Sequence, residues 1–298
     1  MQYDVIVVGC SFAGLSAAMY AARGRRKVLV IDAGQPRNRF AERSHGFFGH
    51  DGRAPAEILG EAKAQLLAYP AVTVIEGRAE RAAIAGAGFE VEIDNGEGFG
   101  ATRLVLATGV RDILSDVPGL AAHWGKTVLH CPYCHGYEVA GGPLGVLATG
   151  PMSLHQAELN SDWGDVTLFA DGLFEPDADQ ARILEKRNIR FELTKVSEVQ
   201  DDRSGGLVVR LDGNRSASVR ALFTAPRNVM ASPLAEQLGC AFNEGPLGRA
   251  IVVNDKQQTS VPGIFAAGDA ARLMHNIAFA VSGGAMAGVA AHQSLVFG

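Results

Sequence analysis

The stretch with the clearest chemical potential lies near the middle of the chain, where residues 130–138 read HCPYCHGYE. Two thiols, Cys131 and Cys134, stand three positions apart, flanked by histidines and followed by Glu138. Cysteines at this spacing can form half of a zinc site, a structural disulfide or a redox dithiol. Each alternative implies a different function for the protein.

The rest of the sequence disfavours zinc. A structural zinc site has about four ligands, usually two cysteine or histidine pairs at motif spacing. The chain has no second Cys-x-x-Cys, and His130 and His135 adjoin the cysteines too closely to complete a tetrahedron easily. The other cysteines, Cys10 and Cys240, have no close partner in the sequence, and we expect them to be buried spectators. We therefore predict no metal site.

A redox dithiol fits better than a structural disulfide, which is rare in a reducing compartment. At the start of a helix, the thiolate of a Cys-x-x-Cys pair is stabilised by free backbone N–H groups and by the helix dipole. Pro132 favours the first turn of a helix and supports this placement. His135, with an ordinary pKa of about 6.5, can relay protons near neutral pH, and Glu138 can orient its imidazole. We predict that Cys131, Cys134, His135 and Glu138 form the catalytic group.

The composition is that of a globular chain. Of its 298 residues, 47% are hydrophobic and 20% are charged, and the net charge is -5 at pH 7. This acidic balance argues against a broad basic face for nucleic acid or anionic lipid. The chain opens MQYDVIVVG, without the features of a secretory leader, and has no run of about 18 apolar residues. We expect a cytoplasmic protein that binds neither nucleic acid nor membrane.

The beginning of the chain has the pattern of a βαβ unit, DVIVVGCSFAGLSAAMYAARGRRKVLVIDAG. Continuous apolar runs predict buried parallel strands at residues 4–8 and 28–31. Small and apolar residues between them predict a helix at residues 11–22, which ends near Gly24.

The turn that joins the first strand to this helix is rich in glycine. A dinucleotide-binding turn needs one glycine for the bend, a small residue near the pyrophosphate and a last glycine where helix meets strand. Gly9, Ser11 and Gly14 supply these positions, and Asp32 follows the second strand, where it can accept a hydrogen bond from a ribose hydroxyl. The turn predicts a dinucleotide site, and tight packing between helix and strand is the alternative.

The remaining chain adds three segments. Residues 72–108 are β-rich and broken by turn signals, which predicts an antiparallel meander. A second βα-like unit at 142–172 suggests a second nucleotide-binding-type domain, followed by a short strand and a small-residue helix that could lie near a ligand.

The second domain has a turn at residues 148–153 that could form a second cradle for a dinucleotide, but it matches the motif poorly. Its turn has alanine and serine where the outer glycines belong, and Pro151 removes a backbone donor. No arginine follows its second strand to hold a 2′-phosphate, although Asp171 could hold an unphosphorylated ribose. A domain without a tightly bound nicotinamide nucleotide remains an open alternative.

Four motifs occur in order along nearly the whole chain: Gly-x-Ser-x-x-Gly at 9–14, LATG at 106–109, the Cys-x-x-Cys, and TSVPGIFAAGD at 259–269. This combination resembles the low-molecular-weight, FAD-dependent thioredoxin reductases. CPYCHGYE is most similar to the branch that includes dithiol oxidases of the gliotoxin and holomycin oxidase type. The reductases proper have alanine and threonine between the cysteines and aspartate after them.

The resemblance implies an α/β fold with two Rossmann-like, glutathione reductase-type nucleotide-binding domains, the second inserted in the first. The FAD-binding domain would comprise residues 1–113 and 246–298, and an NAD(P)H-binding-like domain with the dithiol would comprise 114–245. FAD is the implied cofactor, NADPH or NADH stays open, and a homodimer is expected. Cys134 would face the flavin, and Cys131 would exchange with the substrate.

The resemblance also implies a set of FAD-binding residues. The turn glycines with Ser11 would cradle the pyrophosphate, Asp32 would hold the adenosine ribose, and Asp269 would accept from hydroxyls of the cofactor. His45 is expected to border the flavin, and His275 begins a tripeptide that stands where the family has Arg-Gln-Ala beside the isoalloxazine. The full set is Gly9, Ser11, Phe12, Ala13, Gly14, Asp32, Ala33, Arg37, His45, Ala79, Ala107, Thr108, Gly109, Gly268, Asp269, His275, Asn276 and Ile277.

The function expected from the sequence is an FAD-dependent dithiol/disulfide oxidoreductase that acts on a small dithiol or a thioredoxin-like protein. The weak second cradle and the CPYCHGYE signature favour a member without efficient NADPH use, working with oxygen or another electron carrier. An NAD(P)H-dependent thioredoxin-disulfide reductase is the alternative. A non-catalytic flavin-binding redox sensor is a remote one.

Overall fold

A computed structural model describes residues 2–150 and 152–298. Its strands are Gln2–Val8 (β1), Val28–Asp32 (β2), Val72–Glu76 (β3), Ala79–Ala85 (β4), Gly88–Ile93 (β5), Gly98–Leu106 (β6), Val110–Ile113 (β7), Val128–Leu129 (β8), Pro143–Leu147 (β9), Asp165–Phe169 (β10), Arg190–Glu192 (β11), Val196–Asp201 (β12), Leu207–Leu211 (β13), Arg215–Val219 (β14), Ala221–Thr224 (β15), Arg227–Met230 (β16), Phe242–Gly245 (β17), Gly248–Ile251 (β18) and Ile264–Ala266 (β19). The helices are Phe12–Arg23 (α1), Pro55–Leu67 (α2), Pro132–His135 (α3), Ser153–Asn160 (α4), Ala178–Lys186 (α5), Leu234–Gln237 (α6) and Ile277–Phe297 (α7). Short 3-10 turns occupy Arg37–Phe40, Leu120–His123 and Gly268–Ala271.

The first compact unit is built on one large sheet and includes Ala54–Arg111 and Asn228–Gly298 together with the start of the chain. The sheet has the order β3-β2-β1-β6-β5-β4, and β19 pairs with β6. Strands β3, β2, β1, β6 and β19 are parallel, and alternate side chains of the central strands enter opposite cores. Ile6 and Leu29 lie in one core, and Val7 and Val30 lie in the other. Burial on both faces explains why these strands read as continuous apolar runs.

The predicted βαβ unit is confirmed, because β1, α1 and β2 lie where the sequence places them. Gly24 ends α1 for a different reason than expected. Its φ of -74° is not left-handed, but a Cβ there would lie 2.7 Å from the His292 ring, so packing requires the glycine.

The meander predicted for residues 72–108 is wrong at its first strand. β3 pairs in parallel with β2, whereas β4, β5 and β6 form the antiparallel part. A short apolar run has the same appearance in either arrangement, so the sequence pattern could not separate them.

The small-residue helix α7 packs closely on α1. A Cβ on Gly284 would lie 2.1 Å from the Ala13 carbonyl oxygen, and one on Gly288 would lie 2.3 Å from the Ala17 carbonyl oxygen. These glycines therefore serve helix–helix packing.

The second compact unit contains Phe40–Arg53 and Asp112–Arg227. Its main sheet has the order β11-β10-β9-β15-β8, and its strands are parallel. A three-stranded antiparallel sheet, β12-β13-β14, belongs to the same unit. The parallel strands at the centre of both main sheets confirm the predicted fold class.

The compact units differ at two places from the domain bounds expected from the sequence. Phe40–Arg53 groups with the second unit, and the segment from Asn228 groups with the first. The second difference has a packing reason: Leu234 and Leu238 lie in the same core as Ala82. The Ala82 amide also donates to the Gln237 side chain at 2.9 Å.

Candidate functional site

The glycine-rich turn, LATG and the Gly268-Asp269 motif meet at the carboxyl ends of β1, β6 and β19. Gly9 has a φ of +108°, and a Cβ there would lie 2.3 Å from the Ala107 carbonyl oxygen. Gly268 has a φ of +73°, and its Cβ would lie 2.8 Å from the Ala13 Cβ. Residues far apart in sequence therefore form one cradle in the first unit.

The start of α1 can receive an anion at this cradle. Among the described residues, no side chain caps the helix at Ser11, and helix N-termini attract phosphate groups. Gly14 also supports the alternative of tight packing between helix and strand, because a Cβ there would lie 1.7 Å from the Gly9 carbonyl oxygen. Phe12 and Ala13 are buried in the first turn of α1.

Asp32 lies at the carboxyl end of β2, beside the cradle. Its Oδ1 accepts from the Gly34 amide at 2.8 Å, and its Oδ2 accepts from Lys63 Nζ at 3.2 Å. Burial raises the pKa of the Cys10 thiol to about 12, and the Asp32 charge adds to this effect. Burial is the largest single effect on Lys63 and lowers its pKa, but the hydrogen bond to Asp32 together with the charges of Cys10, Asp32 and Glu76 outweighs it and raises the pKa. No motif marked Lys63 in the sequence.

Arg37, Asp269 and His275 form a second polar group in the same unit. Arg37 Nη1 donates to Asp269 Oδ2 at 2.8 Å and lies 2.6 Å from His275 Nδ1. His275 Nε2 lies 2.9 Å from the Arg272 carbonyl oxygen. The tautomer with hydrogen on Nε2 satisfies both contacts, since Nδ1 then accepts from the guanidinium.

The remaining predicted FAD-binding residues of the first unit, except Ala79, adjoin these elements. Asn276 caps α7 by accepting from the Ala278 amide at 2.7 Å, and Ile277 is the first residue of the helix. Gly109, with a φ of +68°, follows Thr108 after β6. Ala79 lies elsewhere, with its side chain in a hydrophobic core, and Ala33 adjoins Asp32.

Cys131 and Cys134 form a disulfide at the start of α3. Cys131 is the residue before the helix, Pro132 is its first residue, and the Cys134 amide donates to the Cys131 carbonyl at 3.1 Å. The predicted placement at a helix start is confirmed, although this helix is short. The described residues contain no cluster of three or more ligand side chains that could hold a metal.

Glu138 lies next to His45, a residue that the sequence did not connect with it and whose charge also acts on His135. His45 Nδ1 is 3.4 Å from Glu138 Oε1 and 3.7 Å from Asp51 Oδ1. Burial lowers the pKa of His135, the charge of His45 lowers it further, and Glu138 acts in the opposite direction. The lowered pKa favours the neutral form of His135, which is the form that can accept a proton.

Polar groups of the second cradle form hydrogen bonds to other groups of the protein. The Thr149 amide donates to Ser153 Oγ at 2.9 Å, and the Thr149 hydroxyl donates to the Ala225 carbonyl at 3.0 Å. Asp171 Oδ1 accepts from the Val196 amide at 2.7 Å. Pro151, which the sequence marks as a missing donor, lies outside the described residues.

Known proteins resemble the chain along nearly its whole length. It matches the pyridine nucleotide-disulphide oxidoreductase family over residues 3–293. The chain belongs to this family. It is 34% identical over 305 residues to thioredoxin reductase tcpT of Claviceps purpurea, and the match covers 98% of this chain and 94% of that protein.

Two solved structures share its fold throughout. An oxidoreductase from Agrobacterium tumefaciens is 47% identical, with a TM-score of 0.96, and the match covers 100% of this chain and 99% of that one. HlmI is 35% identical, with a TM-score of 0.93, over 99% of this chain and 93% of that one. The likeness to the thioredoxin reductases and to the branch expected from HCPYCHGYE is confirmed.

This family member is an FAD-binding oxidoreductase that acts on sulfur groups. Its first unit fits FAD, since a glycine cradle, an uncapped helix start and the Asp32 carboxylate stand at adjacent strand ends. None of the helices in the described part of the flavoenzyme is long and apolar enough to cross a membrane.

Proposed function

We propose that this flavoenzyme oxidises a substrate dithiol to a disulfide through Cys131 and Cys134. Oxygen would be the final electron acceptor, or the enzyme would work with a carrier other than a nicotinamide. The proposal rests on the hydrogen bonds formed within the second cradle, where the Thr149 amide donates to the Ser153 hydroxyl.

A working nicotinamide site needs polar groups that here already form hydrogen bonds within the protein. Rossmann turns bind pyrophosphate through free amides at the helix start and bind ribose through a carboxylate after the second strand. Here Asp171, the carboxylate at that place, accepts from the Val196 amide. Inefficient use of NADPH and NADH follows, because binding would have to break these hydrogen bonds.

The exchange chemistry proceeds in two balanced steps. A substrate thiolate attacks Cys131 Sγ, the Cys131–Cys134 bond breaks, and Cys134 leaves as a thiolate with the electron pair. The second substrate thiolate then attacks the substrate sulfur that is bonded to Cys131, which forms the substrate disulfide and releases Cys131 as a thiolate. The substrate loses two protons and two electrons, and the enzyme becomes the reduced dithiol. His135 accepts the proton of an attacking thiol, and Glu138 orients its imidazole.

Bound FAD would supply a two-electron acceptor for the reduced dithiol. We assign the pyrophosphate to the turn around Gly9 and Gly14, and the adenosine ribose to Asp32. Asp269, held by Arg37, would accept from cofactor hydroxyls, and the start of α7 at Ile277 would face the developing negative charge of the ring.

The alternative is an NAD(P)H-dependent disulfide reductase. It is favoured by the second unit, which keeps a parallel sheet of the nucleotide-binding type. The two functions differ in the reagent that reduces the flavin.

The deciding experiment mixes FAD-loaded protein anaerobically with dithiothreitol, NADPH or NADH and follows the flavin absorbance. We expect bleaching by dithiothreitol alone, and no bleaching in Cys134→Ser. Rapid bleaching by either nicotinamide would refute the oxidase proposal and support the reductase.

The assembly and location are parts of the same proposal. The outer side of α7 exposes Phe279, Met286, Val289 and Val296 at helical spacing, an apolar stripe that suits a homodimer. Light scattering of the purified protein tests this, since a monomer would contradict it. A cytoplasmic location fits the two free thiols of Cys10 and Cys240.

A further inference from the structure

The segment Phe40–Arg53 belongs to the same compact unit as the dithiol, although most of that unit begins at Asp112. Its two ends are paired: the Ser44 amide donates to the Arg53 carbonyl, and the Gly52 amide donates to the Ser44 carbonyl, both at 2.8 Å. Arg43 Nη1 also donates to the Gly52 carbonyl at 2.8 Å. The segment is therefore a closed loop with a defined shape.

His45 is the loop residue that reaches the dithiol motif. Its side chain is 18% exposed, and its Nδ1 lies 3.4 Å from Glu138 Oε1. The second carboxylate near this nitrogen, Asp51, is largely exposed and accepts from the Gly46 amide at 2.8 Å. Both carboxylates therefore lie near Nδ1, where a proton on the ring would be attracted to them.

We propose that His45 is a positioning residue of the thiol exchange, which acts through the Glu138 carboxylate to control the protonation of His135. This inference deepens the function proposed above and rests on it. Glu138 Oε1 lies 3.4 Å from His45 Nδ1, and the charges of both residues act on His135 in opposite directions.

The charges that act on His135 have the signs this arrangement requires. His45 lowers the pKa of His135 and Glu138 raises it, with burial as the largest cause of the net lowering. His45 thus adds to the effect of burial and favours the neutral form of His135, which can accept the proton of a substrate thiol. The thiol proton passes to His135 and then to the Cys134 thiolate, so the protons that the substrate loses end on the reduced dithiol and His135 returns to its neutral form.

The first test follows the titration of His135 by NMR in histidine-labelled protein, with the signal assigned by its loss in His135→Asn. We expect His45→Asn to raise the pKa of His135 and Glu138→Gln to lower it. Opposite shifts in two variants cannot come from a common folding defect. His50→Asn is the matched control, because His50 lies in the same loop but stacks on Phe47.

The second test measures the rate of anaerobic flavin bleaching by dithiothreitol against pH. Because protonated His135 cannot act as a base, His45→Asn should lose rate several-fold on the acidic side and recover at alkaline pH. We expect the second variant, His45→Gln, to behave in the same way. An unchanged His135 titration in His45→Asn overturns this inference, whatever the activity. Failure of dithiothreitol to bleach the wild type refutes the oxidase proposal instead and leaves the NMR result to decide the role of His45.

Discussion

Gly9 and Ala107 approach so closely that a Cβ on Gly9 would lie 2.3 Å from the Ala107 carbonyl oxygen. This contact joins the ends of β1 and β6 at the proposed FAD cradle. Gly9 also has a φ of +108°, which side chains rarely adopt.

Replacing Gly9 by alanine should therefore destabilise the first unit and reduce its FAD content. The backbone strain costs about 1–3 kcal/mol, and displacement of the Ala107 carbonyl adds to it. Urea unfolding and flavin-to-protein ratio measure the two effects. Gly86→Ala is the control, since Gly86 has a φ of +60° but no described atom within 4 Å of its Cβ position. Equal losses in both variants would contradict a role for the contact.

Removing the Arg37 guanidinium should weaken FAD binding, because Asp269 loses the donor that holds its carboxylate at 2.8 Å. We expect Arg37→Met to raise the dissociation constant of FAD roughly tenfold, or about 1.4 kcal/mol. Arg39→Met is the control from the same 3-10 turn, where Arg39 Nη1 donates to the Pro36 carbonyl at 3.0 Å. Fluorescence titration of the apoprotein with FAD compares them, and matching constants would refute the assignment.

The Cys10 thiol should resist alkylation near neutral pH. Burial, aided by the Asp32 charge, raises its pKa to about 12, so only about one molecule in 10⁴ carries the thiolate at pH 8. Because the raised pKa favours the protonated form, labelling should accelerate only as the pH rises toward that value. Iodoacetamide labelling of a Cys131→Ser, Cys134→Ser double variant, read by peptide mass, measures the rate, and rapid modification of Cys10 at pH 8 would contradict the burial.

Single cysteine variants should separate the roles of the two sulfurs. In Cys134→Ser, the Cys131 thiolate can attack oxidised glutathione, releasing one glutathione thiolate, and the resulting mixed disulfide should accumulate because the second cysteine that would release it is absent. Cys131→Ser should accumulate much less adduct if Cys134 is turned from the substrate. Intact mass after exposure to oxidised glutathione measures both. Stronger adduct formation in Cys131→Ser would reverse the assignment.

The sequence predicted features that depend on local pattern. Continuous apolar runs predicted β1 and β2, small residues predicted α1, and Pro132 predicted that the dithiol begins a helix. Each of these follows from the physical preferences of adjacent residues, so a single sequence contains the information.

Contacts between distant segments were not predictable in this way. His45 reaches Glu138 only because Phe40–Arg53 groups with the dithiol unit, and no spacing rule connects them. Asp171 had the position of a ribose ligand, but its hydrogen bond to the Val196 amide depends on the placement of a later strand. Lys63 was missed for the same reason, since only the fold brings α2 to Asp32.

The packing of Gly284 and Gly288 against α1 also fixes an order of assembly during synthesis. Along the chain α1 precedes Asp112–Arg227, and its partner α7, Ile277–Phe297, follows that segment and is synthesised after it. The dithiol unit can therefore complete most of its fold while the first unit still lacks β19 and α7. If the proposed cradle holds FAD, we expect flavin capture to follow synthesis of both glycines.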